Sequence, residues 1–192
     1  MMDDSDAVAV AQAREGDPEA FGMLVERHSL RLFQLVYRMT GNEQDAEDVV
    51  QETFLRAYKQ LTRFESRAGF GTWLHRIAAN CSLDLLRKRK RRDEKVETVE
   101  LESEDPLLTL SSQAPAPDDQ AFHLEVRQQV EAVMEQLTAM ERAAFVLRHF
   151  EGKSIEEIGS ALGTGPNATK QSIFRAVQKL RRALEPVLSS TP

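Results

Sequence analysis

The sequence predicts an all-α protein of two small helical domains, an N-terminal bundle and a C-terminal helix-turn-helix domain, joined by a flexible acidic linker. Three observations predict this. Apolar residues recur every three or four positions over most of the chain, and no segment alternates with the period of two that a half-buried strand needs. Helix start and stop signals bracket the periodic segments. Between them, residues 93–118 lose the period, contain Pro106, Pro115 and Pro117, and are too acidic to build a core. The boundaries fall at 1–92, 93–119 and 120–192. A length of 192 residues accommodates two domains of this size.

Taken in order, a weak helix is expected near Asp6–Arg14. Asp17-Pro18 then provides an N-cap acid followed by proline in the first turn. The helix it opens carries Phe21, Leu24, Val25, Leu32, Leu35, Val36 and Met39, and Thr40-Gly41-Asn42 stops it with a glycine just past the end. A second helix is expected from Glu43 to Leu61. A loop with Ser66, Gly69 and Gly71 follows, and a third helix starts near Thr72 and enters the basic run Arg87–Arg92. Beyond the linker, helical period resumes from Gln120 to Leu137. Thr138-Ala139-Met140-Glu141 and Ser154-Ile155-Glu156-Glu157 both fit capping boxes, opening helices to about Phe150 and Leu162. A Gly163–Pro166 turn leads to a last helix, capped by Asn167, that ends near Leu184.

Composition excludes several classes. Hydrophobic residues are 41% and aromatic residues 6%, enough for a lean aliphatic core. The longest apolar runs are four or five residues, too short to span a bilayer, and the acidic N-terminus lacks the basic start of a secretory signal. One cysteine, Cys81, excludes an internal disulfide framework and fits a small core position. His28, His75, His123 and His149 show no metal-ligand spacing. Lys170 follows Gly163-Thr164-Gly165, but Ala168 stands where a phosphate loop needs glycine, and no nucleophile–base pair appears. The expectation is a cytoplasmic protein with no catalysis, metal or cofactor and no membrane contact of its own.

The net charge of −6 is unevenly placed. Residues 93–123 hold nine acids against one base, while the segments on either side are each one charge positive. Basic residues cluster locally, so the acidic total does not exclude nucleic acid.

Residues 155–182 outline a helix-turn-helix. Ile155, Ile158, Ala161 and Leu162 face inward on its first helix, and Ile173, Ala176, Val177, Leu180 and Leu184 on its second. Lys170, Gln171, Phe174 and Arg175 point outward where a recognition helix meets base edges, with Lys179, Arg181 and Arg182 nearer to phosphates. An ordinary helical hairpin with a solvated basic face has the same pattern. On the second helix, Asp48, Gln51, Glu52, Leu55 and Lys59 form an outward stripe opposite Ala46, Val50, Phe54, Ala57 and Leu61. Such a stripe is either solvated surface or a partner interface. On the third helix, Leu74, Ile77, Ala78, Cys81 and Leu85 form the inner stripe. Trp73, Arg76, Asn80, Asp84 and Arg87 form the other, a mixture suited to single-stranded nucleic acid, although Trp73 can equally serve as packing.

Together these residues resemble alternative bacterial sigma factors of the extracytoplasmic-function (ECF) class. Asp45 to Tyr58 (DAEDVVQETFLRAY) is similar to the family's polymerase-binding signature, and Phe70 to Asn80 (FGTWLHRIAAN) to its promoter-melting signature. Leu137–Arg142 and Ser154–Ile158 resemble its region 4. The resemblance implies a chain that binds core RNA polymerase and promoter DNA, with an anti-sigma factor as a further expected partner. It implies that Asp48, Gln51, Glu52 and Leu55 bind polymerase. Arg63, Phe64, Phe70, Trp73, Arg76, Asn80 and Arg87 would capture the melted −10 strand. Asn167, Lys170, Gln171, Ser172, Phe174, Arg175 and Lys179 would read the −35 duplex. The family usually has Thr-Val-Lys-Ser-Arg where this chain has Ala168-Thr169-Lys170-Gln171-Ser172, so its −35 preference need not follow the commonest members. The acidic linker, roughly 30 Å end to end as a free tether, would lie in the polymerase channel that nascent RNA later occupies. The alternative is a one-component regulator that binds duplex DNA without polymerase; it would need a ligand pocket or dimer interface in the N-terminal half, and the sequence supplies no candidate for one.

Overall fold

The computed structural model describes residues 4–65, 69–96, 130 and 132–189. All regular elements among these residues are helical. They are α1 (Asp4–Arg14), α2 (Pro18–Thr40), α3 (Glu43–Gln60), a 3₁₀ turn (Leu61–Arg63), α4 (Phe70–Val96), α5 (Ala139–His149), α6 (Ile155–Leu162) and α7 (Pro166–Ser189). A helical stretch at 132–136 precedes α5.

The helix ends form where local chemistry satisfies the backbone. The Asp17 carboxylate accepts the N–H groups of Glu19 and Ala20, with Pro18 in the first turn of α2. Gly41 closes α2 at φ 74°, a left-handed conformation that a side chain would strain. Asn42 caps α3 by accepting from Asp45 N–H at 2.8 Å. Both expected capping boxes are present, Thr138 with Glu141 and Ser154 with Glu157, each with reciprocal bonds. Gly163 ends α6 at φ 65°.

Three boundaries differ from the sequence reading. α4 begins at Phe70, not Thr72, because the Phe70 ring is fully buried and Trp73 N–H donates to Gly69 C=O at 3.1 Å, closing the first turn early. α4 also runs on to Val96, so the helix takes in the first acidic residues of the expected linker; once nucleated, a helix adds one hydrogen bond per residue it fixes. The remaining linker positions lie outside the described residues. α7 starts at Pro166, with Thr169 N–H bonded to Gly165 C=O at 3.0 Å, so Asn167 lies inside the first turn and is not the cap. It continues past Leu184 to Ser189.

α2, α3 and α4 pack as a bundle, with α1 laid across α2 and the 3₁₀ turn. Leu24, Leu32, Leu35, Val36 and Met39 from α2 meet Ala46, Val49, Phe54 and Ala57 from α3 and Leu74, Ala78 and Cys81 from α4. Asp6, buried in α1, accepts from Arg27 and lies 3.0 Å from His28 Nε2, which ties α1 to α2. α5, α6 and α7 form a second group around Ala143, Ala144, Leu147, Ile158, Leu162 and Ala176. The two groups share one continuous buried apolar cluster, and α4 touches both α5 and α6.

Candidate polymerase and nucleic-acid surfaces

The outward stripe of α3 is exposed as its period requires. Asp48, Gln51, Glu52 and Lys59 reach solvent, and Leu55 is 55% exposed. The inner face is wider than the single stripe read from the sequence. Val49 and Thr53 are buried, Val50 is only half-buried, and Thr53 Oγ1 donates to Val49 C=O at 2.6 Å. Glu52 accepts from Arg56 at 2.6 Å, and Asp45 accepts from Arg89 at 3.0 Å across to α4. The stripe is therefore an exposed ridge of mixed polar and charged residues with one apolar residue, Leu55, bordered by the α3–α4 groove. Cys81 lies at the bottom of that groove, and burial pushes its thiol up from the ordinary value, so it is an inert packing group.

The second surface lies where the 3₁₀ turn meets α4. Arg63, Arg76, Asn80 and Arg87 are exposed, and Asn80 Nδ2 donates to Arg76 C=O at 2.9 Å. The aromatic residues behave differently from the sequence pattern. Phe64, Phe70 and Trp73 are all buried and pack on one another, with ring centroids 4.9 Å apart for Phe64–Trp73 and 5.8 Å for Phe70–Trp73. Trp73 therefore belongs to the inner face of α4, as do Ala79, Ser82 and Leu83. Burial of large rings outweighs the one-stripe pattern, because α4 is enclosed on more than one side. Arg14 supports this segment from α1; its Nε donates to Leu61 C=O at 3.0 Å and its guanidinium sits 5.7 Å over the Phe64 ring.

The third surface is the outer face of α7. Asn167, Lys170, Gln171, Phe174 and Arg175 are exposed, Phe174 by 63%, and Ser172 is half-buried. Thr169 is buried, and its Oγ1 bonds Thr164 Oγ1 at 2.8 Å and Gly165 C=O at 3.1 Å, so it locks the turn. Lys179 is engaged internally. Its ammonium donates to Glu141 Oε2 at 2.8 Å and to Gln136 C=O at 3.3 Å. Burial alone would raise the Glu141 carboxyl, but the bonds and charge of Lys179 with the Thr138 N–H outweigh it and hold it below its ordinary value. The spacing of Lys179 on α7 gives no hint of Glu141, which lies 38 positions earlier.

Between the second surface and α6 lies a cleft of about 530 Å³. Arg63, Trp73 and Arg76 line one wall and Glu156, Glu157 and Ile158 the other. Sequence reasoning did not anticipate it, since its walls come from distant parts of the chain. No group of His, Cys, Asp and Glu that could hold a metal occurs among the described residues, nor a helix long and apolar enough to cross a membrane.

The chain matches the models of Sigma-70 region 2 over residues 24–92 and Sigma-70 region 4 over residues 127–180. It is 34% identical over 179 residues to the ECF RNA polymerase sigma factor SigW of Bacillus subtilis (strain 168), covering 91% of this chain and 94% of that protein. It is 32% identical over 189 residues to the ECF RNA polymerase sigma-E factor of Salmonella typhi, covering 96% of each. Among solved structures it is similar to CnrH in complex with the cytosolic domain of CnrY, with 28% identity, a TM-score of 0.62 and coverage of 95% and 98% of the two chains. It shares its fold with the sigma factor RpoE in complex with the anti-sigma factor NepR from Bartonella quintana, at a TM-score of 0.66 and 24% identity over 86% of this chain and 96% of that one. With both sigma-70 regions in order on helices that display three separate surfaces, the chain belongs to the ECF family of RNA polymerase sigma factors.

Proposed function

We infer that the three surfaces divide promoter recognition between them. As a sigma factor, the chain joins core RNA polymerase and directs promoter-specific initiation. In this reading residues 1–92 bind polymerase and hold the opened −10 strand, 93–119 are the linker, and 120–192 read −35 as duplex. The observation that carries the reading is the free outer face of α7. Lys170, Gln171, Phe174 and Arg175 stand exposed together on the second helix of a helix-turn-helix. Gln pairs with adenine and Arg with guanine through two hydrogen bonds each, and the Phe174 ring suits a thymine methyl. Asp48, Gln51, Glu52 and Leu55 would meet polymerase. Arg63, Arg76, Asn80 and Arg87 would contact the opened strand, with Phe64, Phe70 and Trp73 as the packed floor beneath it. The family match across both halves disfavours a regulator that works without polymerase.

The family works by binding and without catalysis of its own, and a cytoplasmic site of action follows from its partner. That CnrH was solved in complex with the cytosolic domain of CnrY supports a protein partner for this chain as well, which the family reading casts as an anti-sigma factor. A pull-down from its host identifies one, and recovery of the free chain alone would remove that partner.

Two substitutions test the division of labour. Asn80→Ala should slow promoter opening and spare duplex −35 binding. Arg175→Ala should weaken −35 binding by about 1–3 kcal/mol. Permanganate footprinting on closed and pre-melted promoters, beside duplex affinity, separates the two. Gln51→Ala with Glu52→Ala should lower competition for core polymerase at unchanged helicity; normal competition would remove polymerase binding from the α3 stripe.

A further inference from the structure

The ring floor of the strand-capture surface is built from two separate segments. Phe64 closes the 3₁₀ turn and Phe70 opens α4, and their rings meet edge to face with centroids 5.9 Å apart. Helix α1, which precedes the stretch that matches Sigma-70 region 2, touches both segments. At its C-terminal end, Arg14 Nε donates to Leu61 C=O at 3.0 Å, a carbonyl that also accepts from Phe64 N–H at 3.1 Å. The Arg14 guanidinium lies over the Phe64 ring. At its N-terminal end, the buried Asp6 carboxylate accepts from Arg27 and lies 3.0 Å from His28 Nε2. His28 is wedged against α4 on its other side. Its ring centroid lies 5.4 Å from that of Phe70, and its Cε1 would be 3.3 Å from a Cβ on Gly71.

We propose that α1 is a positioning element for strand capture, which seats the 3₁₀ turn against the first turn of α4 and so fixes how Arg63 and Arg76 are presented. The proposal rests on the reading of that surface as the −10 site. Arg63 belongs to the turn and Arg76 to α4, so their separation depends on how the two segments sit. The bond from Phe64 N–H to Leu61 C=O shapes the turn but does not aim it at α4. The apolar contacts of α1 come from Ala9, Val10 and Ala13, which are small, and apolar burial is non-directional. Hydrogen bonds have a preferred direction, and a buried carboxylate is tolerated only where it is partnered. The Asp6 and Arg14 bonds therefore set where α1 lies, one at the α4 side of the floor and one at the turn side. A strand binds more tightly to groups already held in place, because less freedom is lost when it docks.

The test uses the full chain with core polymerase and a promoter carrying a pre-melted −10 bubble. Arg14 is exposed, so Arg14→Ala removes the tie to the turn and leaves the core intact. Affinity for the bubble should fall about fivefold, the scale of one net hydrogen bond, while duplex −35 affinity and competition for core polymerase stay unchanged. Asp6→Asn should reproduce the loss from the other end of α1. In the free chain, Arg14→Ala should alter the near-ultraviolet circular dichroism of the ring cluster, which holds its one tryptophan, at unchanged helicity. Normal bubble affinity in either variant, an unaltered ring signal, or an equal fall in −35 and polymerase binding would overturn the positioning role and leave the −10 assignment standing. A salt dependence of bubble binding shallower by about one charge in Arg14→Ala would make Arg14 a phosphate contact and overturn that role as well. Failure of the unmodified chain to hold the opened strand at all would overturn the −10 assignment and the role of α1 with it.

Discussion

Lys179 carries a positive charge on α7, the helix proposed to read duplex DNA, yet its ammonium is committed inward to the nearly buried Glu141 carboxylate. The lysine side chain is itself two-fifths exposed, so solvent screens part of the attraction. Lys179→Met should therefore cost about 1–2 kcal/mol of stability, in the range of hydrogen bonds to charged groups after that discount. Urea denaturation measures the cost, and −35 affinity per folded molecule should fall far less than for Arg175→Ala. The same pair sets a pH dependence. Because the Glu141 carboxyl is depressed in the folded chain, its contribution is fully present above the ordinary value of 4.5 and is lost as pH falls through the lower folded value. Lys179→Met should flatten that part of the acid-denaturation profile.

At the scale of one element, the helix-turn-helix depends on how closely its turn approaches its first helix. A Cβ at Gly159 would lie 2.7 Å from the Thr164 carbonyl oxygen and 3.3 Å from Thr169 Oγ1. The nearer atom is backbone, held by Thr164 N–H bonding Gly159 C=O at 2.9 Å, so it cannot swing aside. Helix propensity favours alanine over glycine by about 1 kcal/mol, but forced overpacking costs about 1–3 kcal/mol. Gly159→Ala should be net destabilising and should tilt α7 against α6. Thermal melting measures the first effect, and reduced −35 affinity at temperatures where the variant remains folded measures the second. An unchanged melting temperature would show that the turn has room to shift.

At the scale of the molecule, the folded chain carries its own pH sensitivity through His75. Burial, then the charges of Lys153, Arg31 and His28, lower its pKa from the ordinary 6.5 to about 4. The Glu151 carboxylate lies 3.3 Å away, but Nδ1 has no hydrogen-bond partner, so the neutral ring is the form that fits. The folded chain binds fewer protons at this ring than the unfolded chain between these values. The folded state is therefore undiminished by it above about pH 6.5 and is destabilised as pH falls from there toward 4. The urea midpoint should fall over pH 6.5 to 5 in the native chain, a window that stays above the range where Glu141 protonates. His75→Gln should remove that fall. A midpoint that stays flat across the window would place His75 in water-like surroundings in the folded chain.

The helices are legible in the sequence because their causes are local. Asp17, Asn42, Thr138 and Ser154 act on backbone groups two or three residues away, and Gly41 and Gly163 act on their own φ. Apolar period by itself likewise assigns Leu24, Phe54, Leu74, Ile158 and Ala176 to the interior, where all five are buried. The exposed halves of the candidate surfaces, Gln51 and Glu52 on α3 and Gln171 and Arg175 on α7, follow from the same period. Only the tertiary structure decided which polar and aromatic groups were already engaged. Trp73 turned inward because Phe64 and Phe70 form a ring cluster around it, and Lys179 because Glu141 lies within reach. The docking of the two groups of helices is the extreme case. Its bonds join residues 81 and 104 positions apart, one to a threonine hydroxyl and one to a backbone carbonyl, with no shared period or motif. Periodicity and capping act over a few residues, so sequence alone determined the elements and their faces, whereas contacts at such separations exist only once the chain has folded and set those faces against each other.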